Sequence, residues 1–214
     1  MLQVFFLATV LAVVLALVAI IPRACQALGF AHGENERLTR KVSLGLAGWL
    51  VATAAIASSG WVRDFGDFPP PLVLFILAAT TLTTLLAFSS LGTLLADGAG
   101  LPFLVGFQAF RFPLEIFLLW GVREGFVPPQ MTWEGRNFDV LTGLTAAVVG
   151  GFALRHKVPR TLVLGWNLLG IALLINVVGV AVLSMPTPIR RFFNEPASVF
   201  VAGAPYIWLP LFLV

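Results

Sequence analysis

The stretch "GFQAFRFPLEIFLLW", residues 106–120, sets an amide, a guanidinium and a carboxylate inside an otherwise apolar run. On a helix, Gln108, Arg111 and Glu115 fall within about 60° of one another, at 100° per residue. Arginine and glutamate at (i, i+4) can form an ion pair, with Gln108 as a further bonding group. The same three groups can also bind a small polar or anionic solute. A lone arginine at the centre of a membrane helix costs at least roughly 2.5–3.5 kcal/mol. The face carrying these side chains is therefore expected to look into a bundle or a wet cavity. Pro113 points away from that arc and removes one backbone hydrogen bond beside the charges.

A second polar cluster follows in "REGFVPPQMTWEGRNFDVLTG", where Glu134, Arg136, Asn137 and Asp139 lie within six residues. Asn137 reads as the N-cap of the next helix. Asp139 suits that helix's positive end. Capping alone accounts for those two, whereas Glu134 or Arg136 is expected to be paired while the connection packs over the outer end of the bundle. Asn176 lies at a depth in its segment from which it can meet Glu115. Tyr206 adds a phenol to the same half of the molecule. The candidate polar network is thus Gln108, Arg111, Glu115, Glu134, Arg136, Asn137, Asp139, Asn176 and Tyr206. A purely structural use, in which a buried ion pair fixes helix register, stands beside the binding one.

These residues need a scaffold, and composition names it. Of the 214 residues, 59% are hydrophobic and 11% charged, and the mean hydropathy is +0.97. A soluble domain could not cover that much apolar surface. The apolar runs are long and do not alternate, which selects helices over a transmembrane β-barrel. The expectation is an all-α, polytopic transmembrane helix bundle forming one domain, 1–214, with about seven spans near 2–21, 42–59, 72–95, 101–121, 138–154, 161–184 and 197–214. The fifth is short and glycine-rich. The seventh carries Pro205 and Pro210, and a broken or kinked helix is expected there. The first lacks a basic leader and is too long for a signal-peptide core, so it reads as a retained helix. The final "YIWLPLFLV" lacks a polar flank, which leads to the expectation of a short further tail.

Basic residues set the orientation. Arg23, Arg37, Arg40, Lys41, Arg155, Lys157 and Arg160 fall on one side, and Arg63, Arg123, Arg136, Arg190 and Arg191 on the other. The excess places the N-terminus outside and the first and fifth connections in the cytoplasm. The pI near 9.8 then reflects topology rather than nucleic-acid binding. Small residues mark expected contact faces: Gly48, Ala52, Ala55 and Ser59; Gly143, Ala147 and Gly150; Gly165, Ala172 and Gly179, with Asn176 on the same face. Thr80, Thr83 and Thr84 are expected to bond their own backbone carbonyls.

Several chemistries lack their residues. Cys25 is the only cysteine, so neither an intrachain disulfide nor a cysteine metal cluster can form. His32 and His156 sit in connections, which leaves no haem-ligand pair across the core. No HExxH, GxSxG or phosphate-binding loop occurs, and no nucleophile–base pair is visible. The reading is of a non-enzyme, with no catalytic residues, metal or cofactor. The runs "FRFPLE", "MTWEGRNFD" and "FNEP…PYIWLP" resemble a group of small uncharacterised bacterial multi-pass membrane proteins over the second half of the chain. That resemblance implies a bacterial inner membrane and carries no activity. The expected function is a carrier or channel for a small polar or anionic solute. The alternative is a non-catalytic accessory or scaffold subunit, with other membrane subunits or a second copy as partners besides the lipid bilayer.

Overall fold

The computed structural model describes residues 1–213, with side chains through Pro210. The chain folds as an all-α bundle. Helix α1 spans Leu2–Ala27 and α2 His32–Ser58. At 1.5 Å per residue both exceed the roughly 30 Å of a bilayer's hydrocarbon core. Together with Leu101–Arg123 and Arg160–Leu183, they make, among the described residues, four helices long and apolar enough to cross a membrane. Most of the first expected connection is therefore helical, because α1 runs through Pro22 and α2 begins at His32. The α2 start is held by Glu34, whose carboxylate accepts the Ala31 N–H at 3.3 Å.

The expected third span is broken. Helix α3, Pro71–Ala87, and α4, Ser90–Gly98, meet at a bend of 62°. Ser89 caps the second piece by accepting the Leu91 N–H at 3.2 Å. The bend is tight at Gly92, where a Cβ would lie 1.9 Å from the Ala87 carbonyl oxygen. Helix α4 then folds against the end of α1, with Leu94 packed on Ile21, Ala24 and Cys25. Thr80, Thr83 and Thr84 donate to backbone carbonyls one turn back, as expected.

The fourth segment is continuous but not uniform. Helix α5, Leu101–Phe107, passes through a 3₁₀ turn at Gln108–Phe110 into α6, Arg111–Arg123. Pro113 has no N–H for the carbonyl four residues back, and the chain tightens just before Arg111. Helix α7, Val140–Ala153, has 14 residues, about 21 Å, too short to cross alone. Helix α8 is Arg160–Leu183.

The seventh expected span is not an α-helix. Two 3₁₀ segments, Phe200–Ala202 and Tyr206–Leu213, are joined by irregular chain. Pro196, Pro205 and Pro210 deny the donors that an α-helix needs. The tail packs into the bundle instead. Trp208 Nε1 donates to the Leu50 carbonyl and to Thr53 Oγ1, both at 3.1 Å. Tyr206 joins an aromatic cluster, 5.3 Å from Phe6 and from Phe117 and 5.4 Å from Phe126 between ring centres. This cluster ties the start of α1 to the end of α6 and to the tail.

Candidate functional site

Two antiparallel elements build the site. Helix α7 lies directly on α5 and α6 because glycines face their backbones. A Cβ on Gly143 would come within 2.5 Å of the Phe112 nitrogen, and one on Gly150 within 2.7 Å of the Gly106 Cα. This is the close approach expected of small residues in a bundle. By contrast, a Cβ on Gly48, Gly165 or Gly179 would meet nothing within 4 Å. At those three glycines the expected stripes make no close backbone approach among the described residues.

The close approach brings the start of α7 to the start of α6. Arg111 Nη1 donates to Asp139 Oδ2 at 2.6 Å, and Arg111 Nε donates to Gln108 Oε1 at 2.9 Å. Glu115 Oε1 accepts from Asn137 Nδ2. The same Asn137 nitrogen donates to the Met131 carbonyl at 3.0 Å, and Asn137 Oδ1 accepts the Asp139 N–H at 3.0 Å. Arg111, Glu115, Asn137 and Asp139 are all buried, with Asn137 fully so.

This geometry corrects the expected Arg111–Glu115 ion pair. The two side chains share a face, but no hydrogen bond or salt bridge joins them. Helical side chains lean toward the N-terminus. Arginine followed by glutamate is the weaker order for an (i, i+4) pair. Arg111 therefore reaches back to Gln108 and across to Asp139, and Glu115 is left to Asn137.

The expected N-cap is also displaced. Asp139, not Asn137, is the N-cap residue of α7, and its side chain makes no capping bond. Asn137 sits two residues earlier and ties the connection to α6. Asn176 does not meet Glu115. Its Nδ2 donates to the Arg136 carbonyl at 2.6 Å and pins the connection to α8. The Arg136 guanidinium lies 4.9 Å over the Phe192 ring. Among the described residues neither Glu134 nor Arg136 makes an ion pair, and both are exposed. Tyr206 lies apart from the buried network, beside a separate cavity that Gln3 and Arg63 also line.

Gln130 belongs to the buried polar set, although nothing singled it out in the sequence beyond an amide in the apolar turn "VPPQM". Its Nε2 donates to Ser184 Oγ at 3.0 Å, joining the connection to the end of α8.

Arg111, Glu115 and Asp139 line one cavity of about 100 Å³. Its other walls are apolar: Ile76 from α3, Leu114 and Leu118 from α6, Val177 and Val178 from α8, and Leu209 and Pro210 from the tail. A space of that size holds several waters or a small organic group. Glu115 Oε2 and Asp139 Oδ1 are buried without a hydrogen-bond partner among the described residues. Both belong to side chains of residues that line the cavity. Among the described residues, no cluster of histidine, cysteine and acidic side chains could hold a metal ion. Comparison of the chain with protein-family models, with curated proteins and with solved structures gives no match.

Proposed function

We propose that this is a multi-pass protein of the bacterial inner membrane that binds and carries a small polar-headed solute in the cavity at Arg111, Glu115 and Asp139. The observation that carries the reading is a cavity lined by Arg111, Glu115 and Asp139, beside which two carboxyl oxygens, Glu115 Oε2 and Asp139 Oδ1, are buried without a partner among the described residues. A buried polar atom without a partner is costly, and a native fold tolerates it where water or a ligand supplies the missing bond. The basic residues support the orientation. Arg23, Arg37, Arg40 and Lys41 flank the α1–α2 turn and Arg155, Lys157 and Arg160 the α7–α8 turn, and the two turns lie at the same end, because Gly98 packs on Ala24 and Gly150 on Gly106. That end faces the cytoplasm by the positive-inside rule.

The test uses the single native cysteine. Cys25 is buried, and a Cys25→Ala background leaves no thiol. Leu118→Cys or Val178→Cys, introduced there, should react with a small water-soluble thiol reagent in membranes. Glu134→Cys is the exposed control. If the control reacts while both cavity cysteines stay unmodified, the cavity is dry and the carrier reading is lost.

A scaffold role has its own support in α8, where Val180 is the single buried residue. So exposed an apolar helix suits lipid or a partner's helix. In that reading the polar network serves only to hold the connection against α6, α7 and α8.

A further inference from the structure

We infer that the cavity at Gln3, Arg63 and Tyr206 is a second binding site, which takes a small solute with an anionic group, carboxylate or phosphate, on a flat apolar body. Gln3 stands at the start of α1 and Arg63 in the turn after α2, so the cavity lies at the end of the bundle opposite the α1–α2 turn. The last stretch of the chain walls it through Phe200, Gly203 and Ala204. Its volume is about 620 Å³, within the roughly 300–1,000 Å³ of small-molecule sites. It is distinct from the cavity at Arg111. Phe200 lines both, and no other described residue does.

Among the described residues that line this cavity, Arg63 carries the only charge. A guanidinium stays protonated in proteins and offers five N–H donors. That of Arg63 makes no hydrogen bond or ion pair among the described residues. Arg63 is exposed and reaches over Gly203, where its Nη2 lies 3.1 Å from the place a Cβ would take. The acids nearby in the chain are engaged elsewhere. Asp64 Oδ1 accepts the Gly66 N–H at 2.9 Å, Glu124 Oε1 accepts from Trp120 Nε1 at 3.2 Å, and Glu195 Oε1 accepts from Arg190 Nη2 at 2.9 Å. Asp67 does not line the cavity. A carboxylate or phosphate satisfies two guanidinium N–H groups at once, in the bidentate pairing that arginine favours. The remaining wall sets what carries the anion. Phe126 and Tyr206 stack with ring centres 5.4 Å apart and planes 13° from parallel, and Phe200 meets Tyr206 edge-on at 6.2 Å. Rings so placed suit an aryl body, which packs on them by offset stacking or edge-to-face contact. A bare inorganic anion would leave that wall uncovered, and a cation would meet the Arg63 charge.

The experiment measures thermal unfolding of the full chain in phosphatidylcholine nanodiscs against sodium benzoate, benzyl alcohol and sodium acetate. Benzoate should raise the unfolding midpoint saturably, and the neutral aryl compound and the short anion should not. Arg63→Gln removes the charge from an exposed position and should weaken benzoate binding by about tenfold, the loss expected for one charge-assisted hydrogen bond. Ala204→Trp, also at an exposed position, fills the cavity while keeping Arg63, and should abolish the shift. Benzyl alcohol as effective as benzoate, or a benzoate shift undiminished by Arg63→Gln, would overturn the anion assignment. Acetate as effective as benzoate would overturn the apolar body. Nanodiscs of equal parts phosphatidylcholine and phosphatidylglycerol separate a free solute from a lipid phosphate. If they stabilise the wild type but not Arg63→Gln, and benzoate then adds nothing, the site belongs to a lipid head group and the small solute is overturned. No shift from benzoate in phosphatidylcholine would defeat the inference. The thiol-reagent test at Leu118 and Val178 reads the cavity at Arg111 alone, so either reading can fail without the other.

Discussion

Arg111 Nη1 donates to Asp139 Oδ2 at 2.6 Å across a sequence separation of 28 residues. This bond joins the start of α6 to the N-cap position of α7, and both side chains are buried. It makes Asp139, rather than Glu115, the group that neutralises the arginine.

The pairing predicts which double substitution rescues the fold. Arg111→Met alone should destabilise the protein by about 3–5 kcal/mol, because it leaves a buried carboxylate uncompensated. Asp139→Leu added to it should recover most of that loss, since packed apolar groups can replace a buried ion pair. Glu115→Leu added to Arg111→Met should recover much less. Unfolding in detergent, followed by circular dichroism, ranks the three. Equal rescue by the two double substitutions would contradict the assigned partner.

Asn137 holds three bonds from a fully buried position. Asn137→Ala should cost about 2–4 kcal/mol, because it strips donors from Glu115 and Met131 and an acceptor from the Asp139 N–H. Asn137→Asp should cost more than Asn137→Ala, since it sets a carboxylate against Glu115. The same unfolding measurement decides, and a milder Asn137→Asp would count against the Glu115 contact.

Glycine substitutions should change sign along the bundle. Gly143→Ala would place a methyl 2.5 Å from the Phe112 backbone nitrogen. Overpacking of that kind costs about 1–3 kcal/mol. Gly48→Ala meets nothing within 4 Å and should stabilise α2 by roughly 0.5–1 kcal/mol through helix propensity. Matched destabilisation at both sites in thermal unfolding would mean that Gly48 is covered in the membrane by another chain.

Trp208 anchors the tail to α2 through its indole N–H. Trp208→Phe keeps the ring contact and removes that bond, at a cost of about 1 kcal/mol. Hydrogen exchange at residues 199–210 should speed up while α1 and α2 remain protected. Unchanged exchange across the tail would show that aromatic packing around Tyr206, not the indole bond, holds it.

The sequence determined what local chemistry can determine. Long apolar runs in a chain with few charges require helices that keep their own backbone bonds in lipid. Apart from Glu134, Arg136, Asn176 and Tyr206, the polar residues singled out in advance form one connected network, buried except at the half-buried Gln108, because charge in such a chain must be gathered away from hydrocarbon. Proline marked the last segment as unfit for a regular α-helix. The pairing within the network was decided elsewhere. Periodicity of 3.6 sees neighbours three and four residues away, and it offered Arg111 to Glu115. Gly143 and Gly150 let α7 lie on the backbone of α5 and α6, and that approach delivered Asp139 to Arg111 and Asn137 to Glu115. The same holds for the break at Ser89 and for the tail's path to Leu50. Sequence pattern marks where a helix weakens, but where the freed chain goes depends on which groove the other helices leave open.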